Sequence, residues 1–124
     1  MVENESRTAE SIAGLVRAAL ASDDLAGFSE LLDPAVQWGA PDDPTPTCRN
    51  REQVMTWYQR GWQAGTRARV TEVSVHGDKI LVGLMVTREG DYGERWQILT
   101  VGPGGVTDIR GFEDRASAAS RVDA

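Results

Sequence analysis

Between Thr8 and Leu20 the apolar side chains fall at Ile12, Leu15, Val16, Ala19 and Leu20. Spacings of three and four put them on one stripe of an amphipathic helix. Ser22, Asp23 and Asp24 end that helix and offer a cap and first-turn carboxylates to a second, whose buried face is Leu25, Phe28, Leu31 and Leu32. Asp33-Pro34 stops the second helix, because the residue before a proline is disfavoured in helical backbone. Ala35 to Gly39 then alternates, Val36 and Trp38 to one side and Gln37 to the other, which predicts a short strand. Pro41, Pro44 and Pro46 with Asp42 and Asp43 form a compact loop. Asn50 predicts the cap of a third helix running to Gly61 or Gly65, with Val54, Trp57, Tyr58 and Gly61 on one face. Met55 and Trp62 lie on an adjacent stripe.

After Gly65 the helical period gives way to strict alternation. Val70, Glu72, Ser74 and His76 face one way, Thr71, Val73 and Val75 the other. Gly77-Asp78 is the kind of tight turn that closes a hairpin. Ile80 to Thr87 is almost continuously apolar, as expected of a central strand covered on both faces. Glu94 to Val101 places Trp96, Ile98 and Thr100 on one face, and Val106 to Phe112 completes a meander. The order predicts an α+β domain in which helices feed a curved antiparallel sheet, leaving a cup. Its expected extent is 8–115, with flexible ends at 1–7 and 116–124, the stretch from Glu113 reading as a weak helix or as disordered.

Composition narrows the function. At 124 residues the chain supports one domain with a real core and no metal or disulfide staples. The net charge is −6 and the 13 basic residues are scattered, so the basic stripe required for nucleic acid or an anionic membrane surface is missing. Cys48 is the lone cysteine, which excludes an internal disulfide and a cysteine-based zinc site and suits a reducing cytoplasm. The opening MVENESRTAES lacks the apolar core of a signal peptide, and no run approaches the ~18 apolar residues of a membrane span.

Four segments carry a family likeness: LLDPAVQW, CRNREQVMTWY, VTEVSVHGDKILVGLMV and the closing GGVTDIRGFEDR. Together they resemble the SnoaL-like branch of the nuclear transport factor 2-like superfamily, over roughly residues 8–115. The resemblance implies a cone: a mixed or antiparallel sheet curled around three N-terminal helices, with an apolar pocket at the open end. It also implies a homodimer formed through the outer sheet face, and reactions such as isomerisation, polyketide cyclisation, epoxide hydrolysis or dehydration. In isomerases of this superfamily the catalytic base occupies a position that falls here on or near Trp38, an aromatic that cannot take a proton, and the oxyanion donor one that falls close to Trp96, so the resemblance does not favour a steroid isomerase. SnoaL-type cyclases use an Asp and a His on the sheet, which the resemblance carries onto Asp108 and His76.

The residues themselves leave alternatives open. A His76–Asp108 pair would shuttle protons near neutral pH, whereas His76 beside a turn also suits a solvated position. Asp108 and Arg110 alternate on one strand face, where the resemblance to epoxide hydrolases of this fold implies one Asp and the Arg of a water-activating Asp–Arg–Asp set and the residues alone suit a surface ion pair. Asp42 and Asp43 are either rim carboxylates or turn and cap residues. Cys48 next to Arg49 at a helix N-terminus is either a reactive thiolate or a small buried thiol. Trp38, Trp57, Tyr58, Met85 and Trp96 are the expected wall of a binding cavity, Cys48 and Arg110 its neighbours, and Trp62 a rim or contact residue. The expected ligand is a small hydrophobic molecule, polycyclic or of terpenoid or polyketide type, turned over without cofactor or metal by proton transfer, or simply bound.

Overall fold

The computed structural model describes residues 8–42 and 44–122, so Asp43, the leading segment 1–7 and the last two residues lie outside the description. Helix α1 spans Ala9–Ala21, and the Thr8 hydroxyl caps it by accepting from the Ser11 N–H. Ile12 and Val16 are fully buried on its inner stripe, while Leu15 is exposed. Helix α2, Leu25–Glu30, is capped by the Asp24 carboxylate accepting from the Gly27 N–H and buries Phe28.

The first strand, β1, runs Leu32–Gly39, three residues earlier than the alternation predicts. Pro34 is tolerated because β1 lies at the edge of the sheet and its pairing is irregular between Leu32 and Gln37. Helix α3, Arg51–Gln63, begins at Asn50, whose side chain accepts from the Gln53 N–H at 2.8 Å. Gln53 answers by accepting from the Arg49 N–H, a reciprocal variant of a capping box.

Strands β2 (Arg67–His76), β3 (Lys79–Arg88), β4 (Asp91–Gly102) and β5 (Gly105–Phe112) form the antiparallel meander. The full order is β1-β5-β4-β3-β2, with β1 parallel to β5. The sheet is curved and unclosed, and the architecture is α+β as expected. Its inner face carries Ile80, Val82, Leu84, Leu99, Val106 and Ile109 in one apolar cluster with α1, α2 and α3. Among the described residues no helix is long and apolar enough to cross a membrane.

Two features depart from the sequence pattern. Strand β2 is not a clean alternation: its register slips between Val70 and Glu72. The extra residue at this bulge lets Val70 and Val73 both join the inner cluster while Glu72, Ser74 and His76 share the outer side. The stretch after Glu113, which the sequence leaves as a weak helix or a flexible tail, forms helix α4 (Arg115–Val122), which packs on the outer face against β3, β4 and β5. Asp114 accepts from the Ser117 N–H at its start, and Ala118 is fully buried with Leu81, Trp96, Ile98 and Phe112 in a second cluster. Helix α4 thus occupies part of the face to which the resemblance assigns a dimer contact.

Candidate functional site

The segment from Trp38 to Trp62 is positioned by backbone before any side chain is placed. Trp38 and Cys48 exchange two backbone hydrogen bonds, Trp38 N–H to Cys48 O at 2.9 Å and Cys48 N–H to Trp38 O at 3.0 Å. They close the proline-rich loop and set α3 against β1. Trp57 and Tyr58, adjacent on α3, then meet Trp38: Tyr58 stacks on it with centroids 5.1 Å apart, and Trp57 meets it edge-on at 4.2 Å. Phe28 completes the group, edge-on to Tyr58 at 5.4 Å. Such offset and edge contacts favour aromatic pairs beyond the area they bury.

Beside this cluster the sheet and helices diverge and leave a recess of about 700 Å³. Its border includes Leu20, Leu25, Trp57, Tyr58 and Trp62 from the helical side, and Trp38, Leu84 and Val86 from the sheet. The space is left because residues at this end are small: Ala19, Gly61, Ala64, Ala68 and Gly111 also border it. A smaller recess of about 200 Å³ shares Trp38 and Trp57 and adds Gly39, Thr47 and Cys48.

Charged side chains also border the recess, and one buried polar pair stands beside the aromatic cluster. Gln97 is buried, at 8 % exposure, and its Nε2 donates to the Tyr58 hydroxyl at 3.3 Å. Burial pushes the Tyr58 phenol up to about 12, which the Gln97 hydrogen bond only partly offsets. The phenol is therefore neutral at physiological pH. Because its oxygen already accepts from Gln97, its own proton remains available to donate. Sequence reasoning passes over Gln97 in favour of its neighbour Trp96. The alternation that puts Trp96, Ile98 and Thr100 together also puts Gln97 with Leu99, and only the register shows which of the two sets faces the helices.

That register sorts the remaining candidates. Trp38, Trp57, Tyr58 and Trp62 border the large recess, and Cys48 the small one. Trp96 touches the recess border, but its indole packs over Gly83 within the outer cluster and donates to the Glu94 carboxylate. Met85, opposite Glu94 in the register, belongs to the outer side, as do Asp108 and Arg110, which flank the inner Ile109. Asp108 and Arg110 form a forked ion pair, Nε to Oδ2 at 3.0 Å, and Arg110 Nη1 also donates to Ala40 O. His76 lies on the outer side too, its Nε2 2.9 Å from the Ser74 hydroxyl. His76 and Asp108 lie in one cross-strand row, with Lys79 and Thr100 between them. Three strand spacings separate them by about 14 Å, too far for direct proton exchange. The structure therefore brings none of His76, Met85, Asp108 or Arg110 to the recess. Cys48 is buried at 4 % exposure, and burial raises its thiol above the ordinary value, which disfavours a reactive thiolate. Asp42 pairs with Arg121 of α4 at 2.8 Å, while Asp43 is outside the described residues.

The sequence matches the SnoaL-like domain over residues 12–114. The chain belongs to the SnoaL-like domain family. Among solved structures, this SnoaL-like domain is similar to a provisionally named ketosteroid isomerase from Kribbella flavida, at 17% identity and a TM-score of 0.72, covering 90% of this chain and 81% of that one. It is also similar to a provisionally named polyketide cyclase from Sinorhizobium meliloti, at 20% identity and a TM-score of 0.64, covering 82% and 93%. TerC, co-crystallised with polyporic acid, is 16% identical with a TM-score of 0.65, covering 94% and 98%. At these identities the likeness shows the fold alone. No curated protein matches the chain.

Proposed function

We propose that this SnoaL-like domain binds a small hydrophobic molecule, polycyclic or of terpenoid or polyketide type, in the recess bordered by Trp38, Trp57 and Tyr58. The observation that carries the reading is the Tyr58–Gln97 pair: a neutral phenol, oriented by a buried amide, on an aromatic wall. Such a group has one obvious use, donating a hydrogen bond to a carbonyl or phenolate oxygen of a ligand lying against the indoles. A site built to hydrogen-bond one oxygen discriminates strongly against the analogue that lacks it.

Proton-transfer catalysis is the second reading. A donor to a carbonyl oxygen also stabilises the enolate formed when an adjacent C–H is deprotonated. Asp23, Asp24 and Glu113 border the same recess and supply candidate bases. The names of the Kribbella and Sinorhizobium structures, an isomerase and a cyclase, agree with that chemistry.

One experiment separates the readings. Wild type and Tyr58→Phe are titrated with aromatic polyketides, steroid ketones and terpenoid ketones, following tryptophan quenching and melting temperature. Binding of a ketone that weakens in the variant supports the site, and no response anywhere in the panel contradicts it. For each bound ketone, deuterium incorporation next to the carbonyl is then measured in D₂O. Accelerated exchange that falls in Tyr58→Phe identifies an enzyme, whereas exchange at the solvent rate identifies a binding protein.

A further inference from the structure

On the outer side Arg110 pairs with Asp108 at 3.0 Å, Arg115 with Glu72 at 2.8 Å and Arg121 with Asp42 at 2.8 Å, while Arg69, opposite Met85, makes no ion pair among the described residues. The recess is bordered by Arg60, Arg67, Arg88 and Arg95. Arg88 has only the exposed Glu89, at 3.7 Å. Among the described residues Arg60, Arg67 and Arg95 make no ion pair, although the chain carries a net charge of −6. The carboxylates on the same border do not neutralise them either, and Asp24 is engaged by the Gly27 N–H.

Two of these guanidinium groups have identifiable settings. Arg67 lies 3.4 Å over the Trp62 ring, its Nη1 donating to the carbonyls of Trp62 and Thr66 at 2.9 Å, which leaves Nε and Nη2 as donors. Arg95 stands opposite Leu84 on the inner face, two residues before Gln97 on the same strand. Two residues of strand set the Cα atoms of Arg95 and Gln97 about 6.8 Å apart on the same face.

We infer that the occupant of the recess is an amphipathic organic anion, a hydrophobic ring system with one carboxylate or sulfonate-like group directed at Arg95 and Arg67. This rests on the recess being a binding site, as proposed above. A guanidinium forks onto such a group through two parallel N–H donors. Stacking on Trp62 holds Arg67 in place before the ligand arrives, so less side-chain freedom is lost on binding.

The test uses two fluorescent probes that share a skeleton: 8-anilinonaphthalene-1-sulfonate and its neutral counterpart N-phenyl-1-naphthylamine. Both are titrated at low salt into wild type, Arg67→Gln, Arg95→Gln and Arg69→Gln, the last a control that does not border the recess. The inference expects the sulfonate to bind wild type about ten-fold more tightly than the neutral probe, the size of one modest ion pair. Arg95→Gln and Arg67→Gln each weaken the sulfonate several-fold and leave the neutral probe unchanged, while Arg69→Gln alters neither. Should Arg67→Gln fail to fold, Arg95→Gln alone decides. Equal affinities for the two probes, or losses no larger than in Arg69→Gln, overturn the inference and leave the binding site standing. Failure of both probes to bind overturns both.

Discussion

At the scale of single residues the site depends on Tyr58. Its phenol loses its proton at about 12 in the folded chain, against an ordinary value of 10.0, chiefly because burial penalises the phenolate. Between those values the folded state holds a proton that the unfolded state has released. The stabilisation is therefore complete below about pH 10 and is lost as pH rises toward 12. Urea midpoints taken near pH 9 and above pH 11 should show this alkaline loss in wild type and a smaller one in Tyr58→Phe. For a bound ketone, the same variant should lower affinity by about two- to ten-fold, the worth of a neutral hydrogen bond. Tyr58 and Trp38 were legible in the sequence from helical spacing and strand alternation. Gln97 was not, because alternation alone leaves open which of two faces meets the helices, and one residue of register exchanges them.

At the scale of elements, the sequence revealed those with strong periodicity and missed those fixed by tertiary contact. The hydrophobic stripe of α1, the Asn50 cap of α3 and the Gly77-Asp78 hairpin are local signals, and each forms where the residues place it. The bulge in β2 and helix α4 are not local. Helix α4 has a weak apolar face and forms against a sheet surface made by Leu81, Ile98 and Phe112. Two substitutions separate what holds it there. Glu72→Gln removes an ion pair between half-exposed partners and should cost well under ~1 kcal/mol, since solvent screens such pairs. Ala118→Glu forces a charge into a fully buried position and should cost several-fold more, read as a lower urea midpoint with altered Trp96 fluorescence. The turn between β4 and β5 is equally demanding. Gly105 has φ +123° and a Cβ there would strike the Leu31 carbonyl, so Gly105→Ala should destabilise by about 1–3 kcal/mol or more.

At the scale of the whole molecule, one sheet separates two environments. The outer face is covered in part by α4 and carries the ion pairs of Arg110, Arg115 and Arg121, while the inner face opens beside α3 into a recess with an aromatic wall and several arginines on its border. The sequence announced the cup but distributed its candidate chemistry across both faces, because a residue such as Asp108 reads identically from either side of a strand. Family membership fixes the fold and leaves the reaction to the site. The account therefore stands or falls on whether the recess accepts a hydrophobic guest. The most direct measurement is a fluorescence titration of the neutral probe N-phenyl-1-naphthylamine into wild type and into Ala68→Phe, which places a ring in the recess from its β2 border. Saturable binding to wild type, lost by at least ten-fold in the folded variant, is the predicted result. Equal binding to both proteins, or none to wild type, would contradict it.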